Sequence, residues 1–121
     1  MSDTVLLNLE RGLPSAEEAI RLITEYVRSA FDANVKAIIL IHGYGSSGKG
    51  GRIKYALHEA LEGNIFTDRV DEYYYGEEVP FGGIVWGDVS SRRIGLKDYM
   101  QYFKGGNKGI TLLLMRQSLL R

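Results

Sequence analysis

Val35-Lys36-Ala37-Ile38-Ile39-Leu40-Ile41 runs directly into His42-Gly43-Tyr44-Gly45-Ser46-Ser47-Gly48-Lys49-Gly50-Gly51, and the junction between the two stretches decides the fold. The first stretch is almost wholly apolar and of strand length, the pattern of a central strand covered on both faces. The second holds five glycines, each of which costs conformational entropy on folding and so needs a physical reason. Beyond it Ile53, Ala56/Leu57 and Ala60/Leu61 recur at helical spacing, predicting a helix from Arg52 to Leu61. A strand, a glycine loop and a helix in that order bring backbone N–H groups and the positive end of a helix to one place, which suits phosphate or another anion. Lys49, Arg52 and Lys54 add full charges there.

Upstream of this junction, Val5 to Leu9 reads as a strand, and Ser15 with Glu18 three residues later forms the signature of a capping box. Ile20, Ile23, Val27 and Ala30/Phe31 follow at 3.6 spacing, predicting an amphipathic helix to about Phe31 that Asp32-Ala33-Asn34 closes. Downstream, Val70 to Tyr75 is a strand whose three tyrosines favour extended structure. Residues 76–108 read as an irregular insertion in which the spacing allows a short helix from Leu96 to Phe103, and Gly109 to Met115 is the last strand. The order is β-α-β-α-β, an irregular stretch, then β.

A chain of 121 residues has room for one ordinary domain, and 45% hydrophobic with 25% charged residues is the balance of a soluble globular protein. No apolar run is long enough to span a bilayer and the start lacks the basic region of a signal peptide, so a cytoplasmic location without membrane association is expected. With no cysteine and two histidines, neither disulfides nor an all-protein zinc site is expected, and no metal or cofactor is assigned. Net charge is zero, yet residues 92–121 stand at +6 and residues 1–91 at −6. Such an asymmetry marks either a polyanion-binding face or ordinary solvated surface.

Gly43 to Gly50 matches the nucleotide-binding pattern G-x-x-x-x-G-K-[ST] except at its last place, where Gly50 stands. That place carries the hydroxyl that binds magnesium, so nucleotide hydrolysis is not expected. His42 ends the central strand at the mouth of the loop, where it is either structural or a proton-exchanging group near pH 7.

Ile38-Ile39-Leu40-Ile41-His42-Gly43-Tyr44-Gly45, with Gly48 and Arg52-Ile53-Lys54-Tyr55-Ala56-Leu57, resembles the H-G-x-G loop and helix of Smr (small MutS-related) domains. Leu7-Asn8-Leu9-Glu10 stands where that family has its L-D-x-H motif, and Gly105-Gly106-Asn107-Lys108-Gly109-Ile110-Thr111 stands where it has a glycine-rich turn before the last strand. The resemblance implies a single Smr-like α/β domain over residues 1–121. Its architecture would be a two-layer α+β sandwich, with a four-stranded mixed sheet carrying two helices on one face, similar to the C-terminal domain of translation initiation factor three. It also implies binding of structured RNA or DNA and, in several branches, endonucleolytic cleavage. The chain departs from the family at the first motif, where Asn8 and Glu10 replace the Asp and His linked to cleavage.

Binding is therefore the leading expectation, with Gly43, Tyr44, Gly45, Gly48, Lys49 and Arg52 as the contact loop and Lys108 and Thr111 as the neighbouring wall. Cleavage by His42 with Glu10 is the alternative, and an anion- or protein-binding module without nucleic acid is a third. Tyr44, or one of Tyr73, Tyr74 and Tyr75, is a candidate for stacking on a base. If the sheet is built as the resemblance implies, the turn at Gly105 to Gly109 lies beside the His42 loop and adds Lys104 and Lys108 to its charge. Oligomeric state is not legible.

Overall fold

The computed structural model of the chain describes residues 3–12, 14–44 and 49–117, the side chains of residues 49 and 50 excepted. Strand β1 (Thr4–Asn8) leads into helix α1 (Ala16–Asp32), strand β2 (Ala37–Ile41), helix α2 (Lys49–Glu62) and strand β3 (Val70–Tyr75). A 3-10 turn (Gly76–Glu78), helix α3 (Ile84–Arg92) and a kinked 3-10 segment (Ile94–Phe103) then precede strand β4 (Ile110–Met115).

The capping box at the start of α1 is present. Ser15 Oγ accepts from the Glu18 N–H at 3.2 Å, and the Glu18 carboxylate accepts from the Ser15 N–H at 3.4 Å. The 3.6 spacing turns Ala19, Ile23, Val27 and Ala30 inward, and Asn34 stops the helix in the left-handed region at φ +58°, which asparagine tolerates better than most residues.

The sheet order is β1-β2-β4-β3, with β1 parallel to β2 and β4 antiparallel to both of its neighbours. The expected α+β class and four-stranded mixed sheet are therefore what the chain forms. Alternation along each strand separates two cores. Ile38, Leu40 and Leu113 pack with Ile23, Val27, Ile53 and Leu57 under α1 and α2. Ala37, Ile39, Leu112 and Leu114 pack on the other face. β2 is covered on both sides, as its unbroken apolar run predicts.

Residues 76–108 differ from expectation. Rather than an irregular insertion they are largely helical, and they supply Val79, Trp86, Val89, Leu96 and Phe103 to the second core, so helices flank both faces of the sheet. The cause lies in the spacing: the buried residues are interleaved with exposed Ile84, Val85, Ile94 and Met100, which blurs any single apolar stripe, and a 3-10 segment does not follow the 3.6 period.

Along the free edge of β1, the Leu6 carbonyl accepts from the Tyr26 hydroxyl at 3.1 Å and the Thr4 carbonyl from the Tyr99 hydroxyl at 3.4 Å. Tyr26 comes from α1 on one face and Tyr99 from the 3-10 segment on the other. No helix among the described residues is long and apolar enough to cross a membrane.

Candidate functional site

β2 pairs with β4 up to Ile41 opposite Ile110, and the chain stays tethered one step further. The N–H groups of His42 and Gly43 both donate to the Gly109 carbonyl, at 2.9 and 3.0 Å. Gly43 then turns at φ +72°, a conformation that costs glycine little.

The His42 side chain points inward and is 1% exposed. Its Nδ1 lies 2.6 Å from the Gly43 carbonyl and its Nε2 lies 2.9 Å from Thr111 Oγ1. A carbonyl can only accept, so Nδ1 carries the proton; in the neutral ring Nε2 then accepts from the Thr111 hydroxyl. Burial pushes the imidazole pKa down to about 4, against the opposing pull of the Gly43 bond, with Lys54 and His58 lowering it further and Glu77 raising it. His42 is thus neutral at pH 7 with both nitrogens occupied. Thr111, expected on the wall of a contact surface, is instead fully buried, and its hydroxyl serves to hold His42.

Glu10 does meet this loop. The Leu9 N–H donates to the Ile41 carbonyl at 2.7 Å, extending the β1–β2 pairing past the strand end, and the Asn8 side chain accepts from the Glu10 N–H at 2.9 Å. The Glu10 carboxylate then sits over Gly43, so close that a Cβ there would lie 2.8 Å from Oε2. A side chain at position 43 would collide with it.

Residues 104–109 form the opposite wall. Asn107 braces them: its Nδ2 donates to the Tyr102 carbonyl and its Oδ1 accepts from the Gly109 N–H, both at 2.9 Å. Lys54 reaches across from α2 to the Lys108 carbonyl at 2.9 Å and pairs with Glu77 at 3.1 Å. A Cβ at Gly109 would lie 3.3 Å from the Gly43 Cα and 3.5 Å from Tyr44 Cδ1. The turn is thereby seated directly against the His42 loop, as expected. Between them lies an open cleft of about 410 Å³ lined by Tyr44, Lys104, Gly105, Gly106, Asn107 and Lys108. Lys104 and Lys108 are exposed and enter no ion pair among the described residues, and Tyr44 is 64% exposed.

Arg92, Arg93 and Arg116 of the basic C-terminal block are elsewhere and engaged, Lys97 is exposed, and Arg121 lies outside the described residues. Arg92 pairs with Glu72 at 2.8 Å and Asp88 at 3.1 Å, Arg93 donates to the carbonyls of Lys36 and Met115, and Arg116 pairs with Asp71. These partners cluster at the far end of β4, so the +6 segment does not form one face. Of the strand tyrosines, Tyr73 and Tyr75 pack toward the α1/α2 core and Tyr74 toward the other. Tyr75 stacks on His58 at 3.5 Å between ring centres and bonds Glu62, and Tyr74 bonds Glu72. Tyr44 is the candidate among the four whose ring stands clear.

Gly45 and Gly48 lie outside the described residues, and Lys49 opens α2 with its side chain outside them. Arg52 is exposed one residue beyond Gly51, where a Cβ would meet the Tyr44 carbonyl at 3.6 Å. The sequence reading missed Asn107 as the brace of the turn, although an asparagine two residues before a glycine is a local turn signal. No group of His, Cys, Asp or Glu among the described residues is arranged to hold a metal ion.

Compared with known proteins, residues 10–82 match the family model described as the Smr domain. The crystal structure of the Smr domain of Thermus thermophilus MutS2 is similar with a TM-score of 0.56, covering 92% of this chain and 96% of that one. At 22% identity that likeness is one of fold. No curated protein matches the chain.

Proposed function

We propose that this chain, which belongs to the Smr domain family, acts as a single nucleic-acid-binding domain through the surface formed by Gly43, Tyr44 and the turn over residues 104–109, without cutting what it binds. The observation that carries this reading is the Gly109 carbonyl, which takes hydrogen bonds from both His42 and Gly43. It ties the turn that carries Lys104 and Lys108, which enter no ion pair among the described residues, to the loop that carries the exposed Tyr44 ring. Lys104, Lys108, Arg52 and Lys49 supply the charge that neutralises phosphates, and RNA and DNA both offer it. His42 and Thr111 act from inside, holding the loop in shape.

Cleavage is the second reading, favoured by the Glu10 carboxylate over Gly43. Against it, the one imidazole of the loop has no free nitrogen with which to exchange a proton.

Fluorescence anisotropy with RNA and DNA hairpins over a salt series tests the binding reading. The wild type binds both with an affinity that falls as salt rises. The double variant Lys104→Ala/Lys108→Ala loses about 0.9 from the logarithmic salt slope for each phosphate contact removed. A chain that binds neither probe at low salt, or a slope that the double variant leaves unchanged, refutes the reading.

A further inference from the structure

We propose that the cleft between Tyr44 and residues 104–108 holds one unpaired nucleotide, its base stacked on the Tyr44 ring and its phosphate between Lys104 and Lys108, so that this protein prefers nucleic acid with a single-stranded or extruded base to an uninterrupted duplex. The inference rests on the nucleic-acid reading above and narrows it to a substrate class.

Tyr44 is held by its backbone rather than by neighbours that cover its ring. The residue before it is pinned through the Gly43 N–H to the Gly109 carbonyl, its own carbonyl lies against Gly51, and the ring edge rests where Gly109 has no side chain. A ring carried on a tethered backbone and 64% exposed presents an open aromatic face on which a flat base can stack. Inside a duplex every base has both faces covered by its neighbours, so only an unpaired base can offer a face to this ring.

The cleft suits the rest of a nucleotide. Its volume of about 410 Å³ falls in the small-ligand range of roughly 300–1,000 Å³. Among the described residues its lining contains two lysines and no carboxylate, an arrangement that favours an anion. The polar side chain best placed to read a base edge, Asn107, has its amide nitrogen committed to the Tyr102 carbonyl and its amide oxygen to the Gly109 N–H. Recognition by stacking and charge makes the site tolerant of base identity.

The test compares a blunt-ended duplex of two annealed strands with the same duplex carrying a single-stranded tail, using the full chain and the variants Tyr44→Ala and Tyr44→Phe, each checked for wild-type circular dichroism. The wild type binds the tailed duplex about 10-fold more tightly than the blunt one, a ratio within the range for one stacked base. Tyr44→Ala binds the two duplexes with equal affinity, whereas Tyr44→Phe retains the preference because the ring is still there. Changing the tail from pyrimidines to purines alters the affinity by less than removing the tail does. Equal binding of the two duplexes by the wild type, or a Tyr44→Ala variant that weakens both by the same factor and so keeps the preference, overturns this inference and leaves the nucleic-acid reading standing. Failure to bind either duplex overturns both.

Discussion

Acidification is expected to weaken the fold through His42. The ring is neutral in the folded chain with a pKa of about 4, whereas an unfolded chain returns it to about 6.5. As pH falls through 6.5 the unfolded state takes up a proton that the folded state refuses, so stability present at pH 7 is lost between pH 6.5 and 4. At pH 5 the unfolded ring is protonated and the folded ring is not. One and a half units of titration at about 1.4 kcal/mol each then remove about 2 kcal/mol. The charged groups facing the ring, Lys54, His58 and Glu77, are shared by a His42→Gln variant that cannot itself titrate. Urea unfolding of both proteins at pH 7 and pH 5 therefore isolates the histidine, since His58, also lowered by burial, contributes equally to each. The expected result is a wild type that loses about 2 kcal/mol more than the variant over that interval. A difference below about 0.5 kcal/mol, or a ring resonance titrating near its ordinary value, would refute the buried neutral imidazole and return His42 to the list of proton-exchanging groups.

Three further outcomes follow from the same geometry. Thr111→Val keeps the shape but leaves His42 Nε2 without its donor, and chemical denaturation should register a loss of about 1–3 kcal/mol. Gly76→Ala places a methyl group 1.8 Å from the Asn107 carbonyl oxygen, so the turn over residues 104–109 must move; a crystal structure or amide-exchange measurement in which that turn is unchanged would contradict the packing described. Purified protein should cut structured RNA or DNA no faster than a His42→Ala control, and robust cleavage abolished by that substitution would establish the nuclease reading instead.

The parts of the fold that could be read from the sequence are those whose signals are local. The apolar run into β2, the Ser15/Glu18 box and the helical spacing of α1 each state their structure within a dozen residues. Within residues 76–108 the helical segment from Leu96 to Phe103 could be read, and it forms as part of the 3-10 segment Ile94–Phe103, but helix α3 could not, because its inward side chains Trp86 and Val89 are defined by the sheet they cover and not by their own spacing. The site divides in the same way. The H-G-x-G loop was visible, but the state of His42 depends on Thr111, 69 residues away. Counting charges likewise could not separate Lys104 and Lys108 from Arg92, Arg93 and Arg116, whose partners are brought in by β3, β4 and α3.

The two tyrosines on the free edge of β1 bear on how the protein behaves at high concentration. A bare strand edge offers its outward carbonyls to any incoming strand, and sheets that leave such an edge open are prone to join one another into aggregates. Here the carbonyls of Thr4 and Leu6 are already occupied by phenol hydroxyls, one from each covering layer, so a second molecule would have to displace both to extend the sheet. Tyr26→Phe with Tyr99→Phe keeps the rings and removes these two hydroxyls, and light scattering is expected to show the double variant self-associating at lower concentration than the wild type.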